Sequence, residues 1–363
     1  MNRISSLFAG LFALTGIFIV ACDWPLTRQA KVKMNADRKP TVGVIANRTT
    51  PYWKAVEFGA NHSADKNNLH LIWHEIAQSD NFDQQVAAIH DLSTRRVQGI
   101  IIATHNELML REAIERAQNQ GIQVLLIDSP PLPNTENHAD QLPVVTTDQY
   151  HAGQLAAGEM AELLQEKGRV AIIRYSPLSW KTEKREEGFL AQIRSYPEIK
   201  VVGHDLYTGT DPRVAKEKLT NFLQLYSWNG HTELDGIFIS DESTACEMLD
   251  LIEQKKYENK MIFMAFGTDA RLVTGLLTYR VDAFFVEQPA GMGQQAVDTM
   301  AEMLRGQNIA PFRDAGVHYV TIDNLYSPYS QALLTPISEN SLEILLKESP
   351  DNPNPSDSDE NDE

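Results

Sequence analysis

The sequence predicts an α/β protein: two doubly wound, parallel-sheet (Rossmann-like) domains with a hinge and a central ligand cleft. Two observations predict it. From Pro40 onward, short apolar runs alternate with amphipathic stretches of helical length. The rhythm breaks once, at the turn-rich SPPLPNTENHADQ (129–141), and restarts at PVVTTD. Strands separated by helices ask for right-handed crossovers, hence parallel sheets covered on both faces. Ligands of such sheets bind outside the carboxyl ends of the strands, so two domains with those ends turned inward enclose a cleft.

The first series opens with TVGVIA (41–46), an apolar run short enough to be a buried strand. Over 52–67, Val56, Ala60 and Ala64 recur every four residues and predict a helix. LHLIWHEI is the next strand, and Phe82, Val86, Ile89 and Leu92 mark the next helix. GIIIA is a strand, 107–120 a helix stopped by Gly121, and IQVLLID a strand.

The second series starts with PVVTTD as a strand and 150–167 as a helix ending at Gly168. RVAIIRY, IKVVGHDLY, DGIFISD, MIFMAFG and VDAFFVE read as strands. Between and after them, 183–196, 212–226, 242–254, 270–278 and 289–305 read as helices, and HYVTID is the last strand. Pro212 falls in the first turn of its helix, where its missing N–H does no harm. The predicted organisation is a first lobe over 39–147 and 288–314, and a second over 148–287 and 315–336, with three chain crossings between them.

The ends differ in kind. Arg3 precedes an apolar run over 7–20 that is too short for a bilayer, where a span takes roughly 20 residues, so 1–21 reads as a signal peptide. Residues 22–38 read as a polar tether and 337–363 as an acidic, mostly disordered tail. The net charge of −17 disfavours nucleic acid as a partner. Of the two cysteines, Cys246 reads as a small buried helix residue, and no disulfide framework follows.

No phosphate-binding Gly-rich loop, His-Glu-x-x-His, metal-spaced cysteine pair or nucleophile elbow occurs. His62, His70, His74, His90 and His105 are scattered over different elements. The expectation is a protein that is not an enzyme and has neither cofactor nor metal.

Ile19-Val20-Ala21-Cys22 resembles a bacterial lipobox. That resemblance implies lipidation of Cys22. Asp23 next to it implies retention on the periplasmic side of the inner membrane. The β/α order resembles the type I periplasmic binding proteins, within them the ribose- and galactose-binding group. Thr50-Pro51-Tyr52-Trp53 followed by Gly59 is similar to that family's Asn-Pro-Phe-Phe loop. FDQQVAAIHDLSTRRVQGIII is similar to its second helix and third strand, and TDQYHAGQLAAG to the entry into its second domain. Ile127-Asp128 resembles the strand end where an Asp-Arg pair binds sugar hydroxyls. REEGF (185–189) resembles Arg-x-x-Gly-Phe, and Ile239-Ser240-Asp241-Glu242 an Asn-Asp-Glu turn. Ala265 to Asp269 stand where the family reads Gly-Phe-Asp, and Glu287-Gln288-Pro289 where it has Gln-x-Pro. Thr50, Ser129, Ser240, Gly267 and Glu287 depart from the family's residues.

The resemblance implies a ligand site of Thr50, Tyr52, Trp53, Asp128, Arg185, Ser240, Asp241, Asp269 and Glu287, and Trp180, by its place in the chain, is expected to line the cleft with them. Tyr52 and Trp53 offer aromatic faces to the C–H patches of a sugar. Asp128 accepts from hydroxyls, and Arg185 donates several directed bonds across the cleft, standing solvated while the cleft is open. Trp180 is read in a loop before the helix of Arg185. The expected function is a solute-binding lipoprotein that captures a sugar or sugar-like molecule for an ABC importer. The alternative is a periplasmic sensing subunit that signals to a membrane histidine kinase, similar to autoinducer or trimethylamine N-oxide sensors.

Overall fold

The computed structural model describes residues 39–47, 50–76, 81–104, 106–130, 142–228, 231–255, 261–334 and Ile344. The segments expected as signal peptide and tether, with Cys22 and Asp23, and all of the expected acidic tail except Ile344 lie outside the described residues.

In the first series, β1 (Thr41–Ala46) leads to α1 (Pro51–Lys66), β2 (His70–Glu75), α2 (Phe82–Thr94) and β3 (Gly99–Ile102). A 3-10 turn (Glu107–Met109), α3 (Arg111–Asn119), β4 (Gln123–Ile127) and β5 (Val144–Thr146) come next. The second series runs α4 (Gln149–Leu163), β6 (Lys167–Ile173), α5 (Trp180–Ile193), β7 (Glu198–Gly203) and α6 (Pro212–Leu225). A small hairpin of β8 (Ser227–Trp228) and β9 (His231–Thr232) precedes β10 (Gly236–Ile239). After it run α7 (Glu242–Lys255), β11 (Ile262–Phe266), α8 (Ala270–Leu277) and β12 (Ala283–Glu287). The last elements named among the described residues are α9 (Pro289–Leu304), β13 (Phe312–Asp314), β14 (Val317–Thr321) and α10 (Pro328–Leu334).

Two six-stranded sheets result. The first has the order β13-β5-β4-β3-β1-β2, all parallel. The second has the order β14-β12-β11-β10-β6-β7, parallel except for antiparallel β14 at the edge. β3, β10 and the first four residues of β12 are wholly buried, as strands covered on both faces must be. The chain passes from one sheet to the other three times, after β5, after β12 and between β13 and β14. The Asp314 carboxylate joins two of these passages by accepting the N–H groups of Asp148 and Gly316, both at 2.8 Å.

Side-chain caps start several helices. Thr50, Asn81, Asp148, Asp211 and Asp269 each accept a backbone N–H of the first turn. Within each lobe, two helices touch backbone to backbone through glycine. A Cβ on Gly59 of α1 would sit 1.9 Å from the Ala290 carbonyl oxygen of α9, and one on Gly293 2.0 Å from that of Val56. In the second lobe a Cβ on Gly153 of α4 would meet the Arg185 oxygen at 1.9 Å, and one on Gly188 of α5 that of Tyr150 at 1.9 Å.

Some expectations need correction. The helix expected over 107–120 is a 3-10 turn followed by α3. α4 stops at Leu163 because Gln165 and Glu166 adopt positive φ and reverse the chain, so Lys167 already belongs to β6. α5 starts at Trp180, one turn before the expected Glu183, so Trp180 is helical rather than in a loop. The hairpin, β13 and α10 were not expected from the sequence; each is only two to seven residues long. Cys246 is buried on α7.

Candidate functional site

The carboxyl ends of β4 and β12, the first turn of α1 and the first two turns of α5 bring Asp128, Glu287, Tyr52, Lys181 and Arg185 into one cluster. Asp128 follows β4 directly, at φ +49°, with 6% exposure. Lys181 approaches it from α5 of the other lobe, Nζ to Oδ1 at 2.6 Å, and lies 3.4 Å from Glu287 Oε2. Its ammonium stands 5.2 Å from the Tyr52 ring centroid. The Tyr52 hydroxyl completes the contact with Asp128.

Arg185 lies one helical turn after Lys181. It is 7% exposed and fully engaged. Nε donates to Gln149 Oε1 at 2.6 Å, one terminal nitrogen to the Ser240 carbonyl at 3.0 Å, and the other to Glu287 Oε1 at 2.9 Å. Its guanidinium also stacks 4.1 Å from the Phe266 ring centroid. The expectation of a solvated Arg185 is therefore corrected: helix contact at Gly153 and the Gln149 amide hold it inside. Gln149 closes a ring by donating to Glu287 Oε1 at 2.6 Å.

Next to the cluster lies a second ion pair, between half-buried Arg174 and buried Glu186. Glu186 is fully buried and accepts from Arg174 Nε at 2.6 Å, Ser240 Oγ at 2.7 Å and the Tyr175 N–H at 3.1 Å. Ser240 thus links the two networks, hydroxyl to Glu186 and carbonyl to Arg185.

The electrostatics result from burial and pairing. Burial alone would push the Glu287 carboxyl up; Lys181, then Arg185 and the Gln149 amide outweigh it and hold it down at about 2. For Asp128 burial wins, and its carboxyl is raised despite Lys181. Burial, then the charges of Asp128 and Glu287, push the Tyr52 phenol well above its usual value. Burial would lower Lys181, but Asp128 and Glu287 outweigh it and raise the ammonium.

A cavity of 630 Å³ adjoins the cluster, within the roughly 300–1,000 Å³ of small-molecule sites. Pro51, Tyr52 and Ala55 line it from α1. Arg185, Asp241, Glu242, Phe266, Gly267, Thr268 and Glu287 line it from the second lobe, and Ala332 to Leu334 from α10.

The structure thus brings together Tyr52, Asp128, Arg185 and Glu287, with Asp241 on the same cavity. Other expected residues are placed elsewhere. Trp53 is 6% exposed and packs with Val42, Val44, Val56 and Ala60 in the first lobe's core, so Tyr52 alone gives the cleft an aromatic face from this turn. Thr50 spends its hydroxyl on the Trp53 N–H at 3.3 Å. Asp269 caps α8 and pairs with Arg271 at 3.1 Å, which lowers its carboxyl's pKa. The indole N–H of Trp180 is buried without a partner among the described residues. Lys181 and Gln149 were missed. Starting α5 at Trp180 would have exposed the signal, because it sets Lys181 and Arg185 four apart on one helical face. No group of three metal-ligating side chains occurs among the described residues.

Comparison with known proteins agrees with this architecture. The family model described as periplasmic binding protein domain matches residues 42–308. The ribose import binding protein of Bacillus subtilis is 21% identical over 301 residues, 82% of this chain and 93% of that protein. Among solved structures, the glucose-galactose binding protein of Geobacillus stearothermophilus is 24% identical with a TM-score of 0.65, covering 80% of this chain and 99% of that one. A solute-binding protein of Burkholderia graminis, solved in complex with D-arabinose, is 26% identical with a TM-score of 0.63 over 80% and 98% of the two chains. The chain belongs to the periplasmic binding protein family, as a type I member.

Proposed function

We propose that this protein captures a sugar or sugar-like molecule between its two lobes and presents it to an ABC importer, from the periplasmic side of the inner membrane, where Cys22 anchors it. The observation that carries the reading is the buried cluster at the facing strand ends. Asp128 and Tyr52 come from one lobe; Lys181, Arg185 and Glu287 come from the other lobe. Donors and acceptors fixed in opposed walls match the many hydroxyls of a sugar, and a ligand that leaves one of them unpaired is rejected at a cost of roughly 1–3 kcal/mol per group. A ligand that bridges both walls also favours lobe closure about the three passages, which gives a permease a closed form to recognise. The names of the relatives, ribose import and glucose-galactose binding, support a sugar.

A thermal-shift panel of pentoses, hexoses and polyols tests the ligand class. A cognate sugar at 100 times its dissociation constant adds about 2.7 kcal/mol of stability. A panel in which no sugar raises the melting point, while an unrelated amine or amino acid does, overturns the reading. For the anchor, Cys22→Ser moves the protein from the membrane fraction into the soluble periplasmic fraction. A substituted protein that still pellets after a high-salt wash removes lipidation from the account.

A further inference from the structure

We propose that Asp128, Glu287 and the Tyr52 ring form a cation subsite that Lys181 occupies in this structure and that the ammonium group of an aminated, sugar-like ligand takes over on binding. This rests on the sugar reading and narrows its ligand class.

The two cations of the cluster are held differently. Arg185 is locked by three directed bonds to separate partners and by a stacked phenylalanine. Lys181 has only the two carboxylates and an aromatic ring: 2.6 Å to Asp128, 3.4 Å to Glu287 and 5.2 Å to the Tyr52 centroid. No neutral or backbone acceptor among the described residues ties it. It is the second residue of α5, and its side chain is 21% exposed against 8% for Arg185. A long flexible stem at a helix start can swing into water; a guanidinium with three anchors cannot.

When Lys181 leaves, two carboxylates and one guanidinium remain, a net charge of minus one in a buried site. An unbalanced buried charge is costly, so a replacement cation is favoured over a neutral group. The ring supplies a face within the ~6 Å at which ammonium groups are attracted. The adjoining 630 Å³ cavity, with Asp241 and Thr268 on its wall, leaves room for the hydroxylated remainder of the ligand. Lys181 then acts as an internal competitor: it keeps the carboxylates paired and sets the threshold a ligand must exceed.

The test uses the full chain with Lys181→Gln and Lys181→Met. Both variants should melt below the unsubstituted protein. Millimolar ethylammonium chloride, against a sodium chloride control, should restore several degrees in either variant and leave the unsubstituted protein unmoved. No restoration in both variants overturns the subsite. Calorimetric titration then compares D-glucose with D-glucosamine and D-galactose with D-galactosamine. The amino member of a pair should bind Lys181→Gln at least tenfold more tightly than it binds the unsubstituted protein, about 1.4 kcal/mol, with no such gain for the neutral member. A neutral sugar whose binding Lys181→Gln abolishes, with no gain for its amine, makes Lys181 a hydroxyl donor and overturns the proposal. If ethylammonium restores the variants while no sugar of either kind binds, the cation subsite stands and the sugar reading fails.

Discussion

The two lobes share a scaffold and divide the chemistry. Each begins with a strand followed by a helix whose first turn enters the cleft, β1 to α1 and β6 to α5. Each packs that helix, glycine against backbone, on the helix that brings the chain over from the other lobe, α9 in one and α4 in the other. The polar equipment differs. The first lobe offers an aromatic ring and a carboxylate, Tyr52 and Asp128. The second offers two cations, a carboxylate and, next to them, the Arg174–Glu186–Ser240 network, buried at Glu186 and Ser240. Backbone geometry can be repeated without chemical consequence, whereas a recognition site needs complementary groups on its two walls.

The shared part gives the largest effect. Gly59→Ala, Gly293→Ala, Gly153→Ala and Gly188→Ala each insert a methyl where a carbonyl oxygen lies within 2.0 Å. Each is expected to cost about 3 kcal/mol, the upper range for overpacking, in chemical denaturation. If the scaffold is equivalent, the four losses agree within error. A first-lobe pair that tolerates alanine while the second-lobe pair does not breaks the comparison. Gly153→Ala and Gly188→Ala should also disturb ligand binding, since they push on the helix that carries Lys181 and Arg185.

Arg185→Ala separates the lobes next. It leaves the half-buried Glu287 short of one partner and removes three hydrogen bonds, so stability should fall by about 2 kcal/mol before any ligand is added, from the range for bonds to charged groups. Tyr52→Phe in the first lobe deletes only a hydroxyl, and should cost less than half as much. An Arg185→Ala protein with unchanged melting point would mean that the guanidinium is solvated, as the sequence alone had suggested.

The two carboxylates around Lys181 give opposite pH dependence. Glu287 is held at about 2, below its usual value of 4.5. A carboxyl depressed on folding contributes stability that is present above pH 4.5 and is lost as the pH falls through about 2. Asp128 is raised on folding, so its contribution is largest below its usual value of 3.8 and declines as the pH rises through the folded-state value. Melting curves from pH 2 to 6 should therefore show that Glu287→Gln flattens the acid loss of stability. Asp128→Asn should leave that loss in place and remove an opposing slope. The same sign in both variants would refute the assignment of the deeper pairing to the second lobe.

Much of the fold was legible because buried parallel strands are near-continuous apolar runs, and TVGVIA, GIIIA and MIFMAFG could be little else. β13 escaped because FRD is three residues with a charge at each of two positions, too short for any period. The start of α5 escaped because Ser176-Pro177-Leu178-Ser179 has the composition of a loop, and nothing in it marks where the loop ends and the first helical turn begins. Of the site, Asp128, Arg185 and Tyr52 were visible through strand ends and helix starts. Lys181 was not, since its importance comes from a carboxylate 53 positions away in the other lobe. Trp53 was misjudged although the clue was present: it precedes Val56 by three and so shares the buried face of α1, while Tyr52 is turned about 100° from it.

The smallest effect sharpens the comparison most closely, because it concerns equivalent residues in the two lobes. Thr50 and Ser179 both stand just before the helix that enters the cleft. Thr50 accepts the Trp53 N–H, whereas Ser179 makes no side-chain cap. A hydroxyl that satisfies an otherwise orphaned helix N–H is worth about 1 kcal/mol, and one that does not is worth close to nothing. Thr50→Ala should therefore lower stability by about 1 kcal/mol, and Ser179→Ala should leave it unchanged. The physical reason lies in the helix that each residue introduces. α1 must hold Trp53 in the core, so its first turn is pinned. α5 carries Lys181 in its first turn, and a turn without a cap lets that side chain move at little cost. Equal losses in the two variants would show that Ser179 caps α5 in solution, and would remove this freedom from the second lobe's wall.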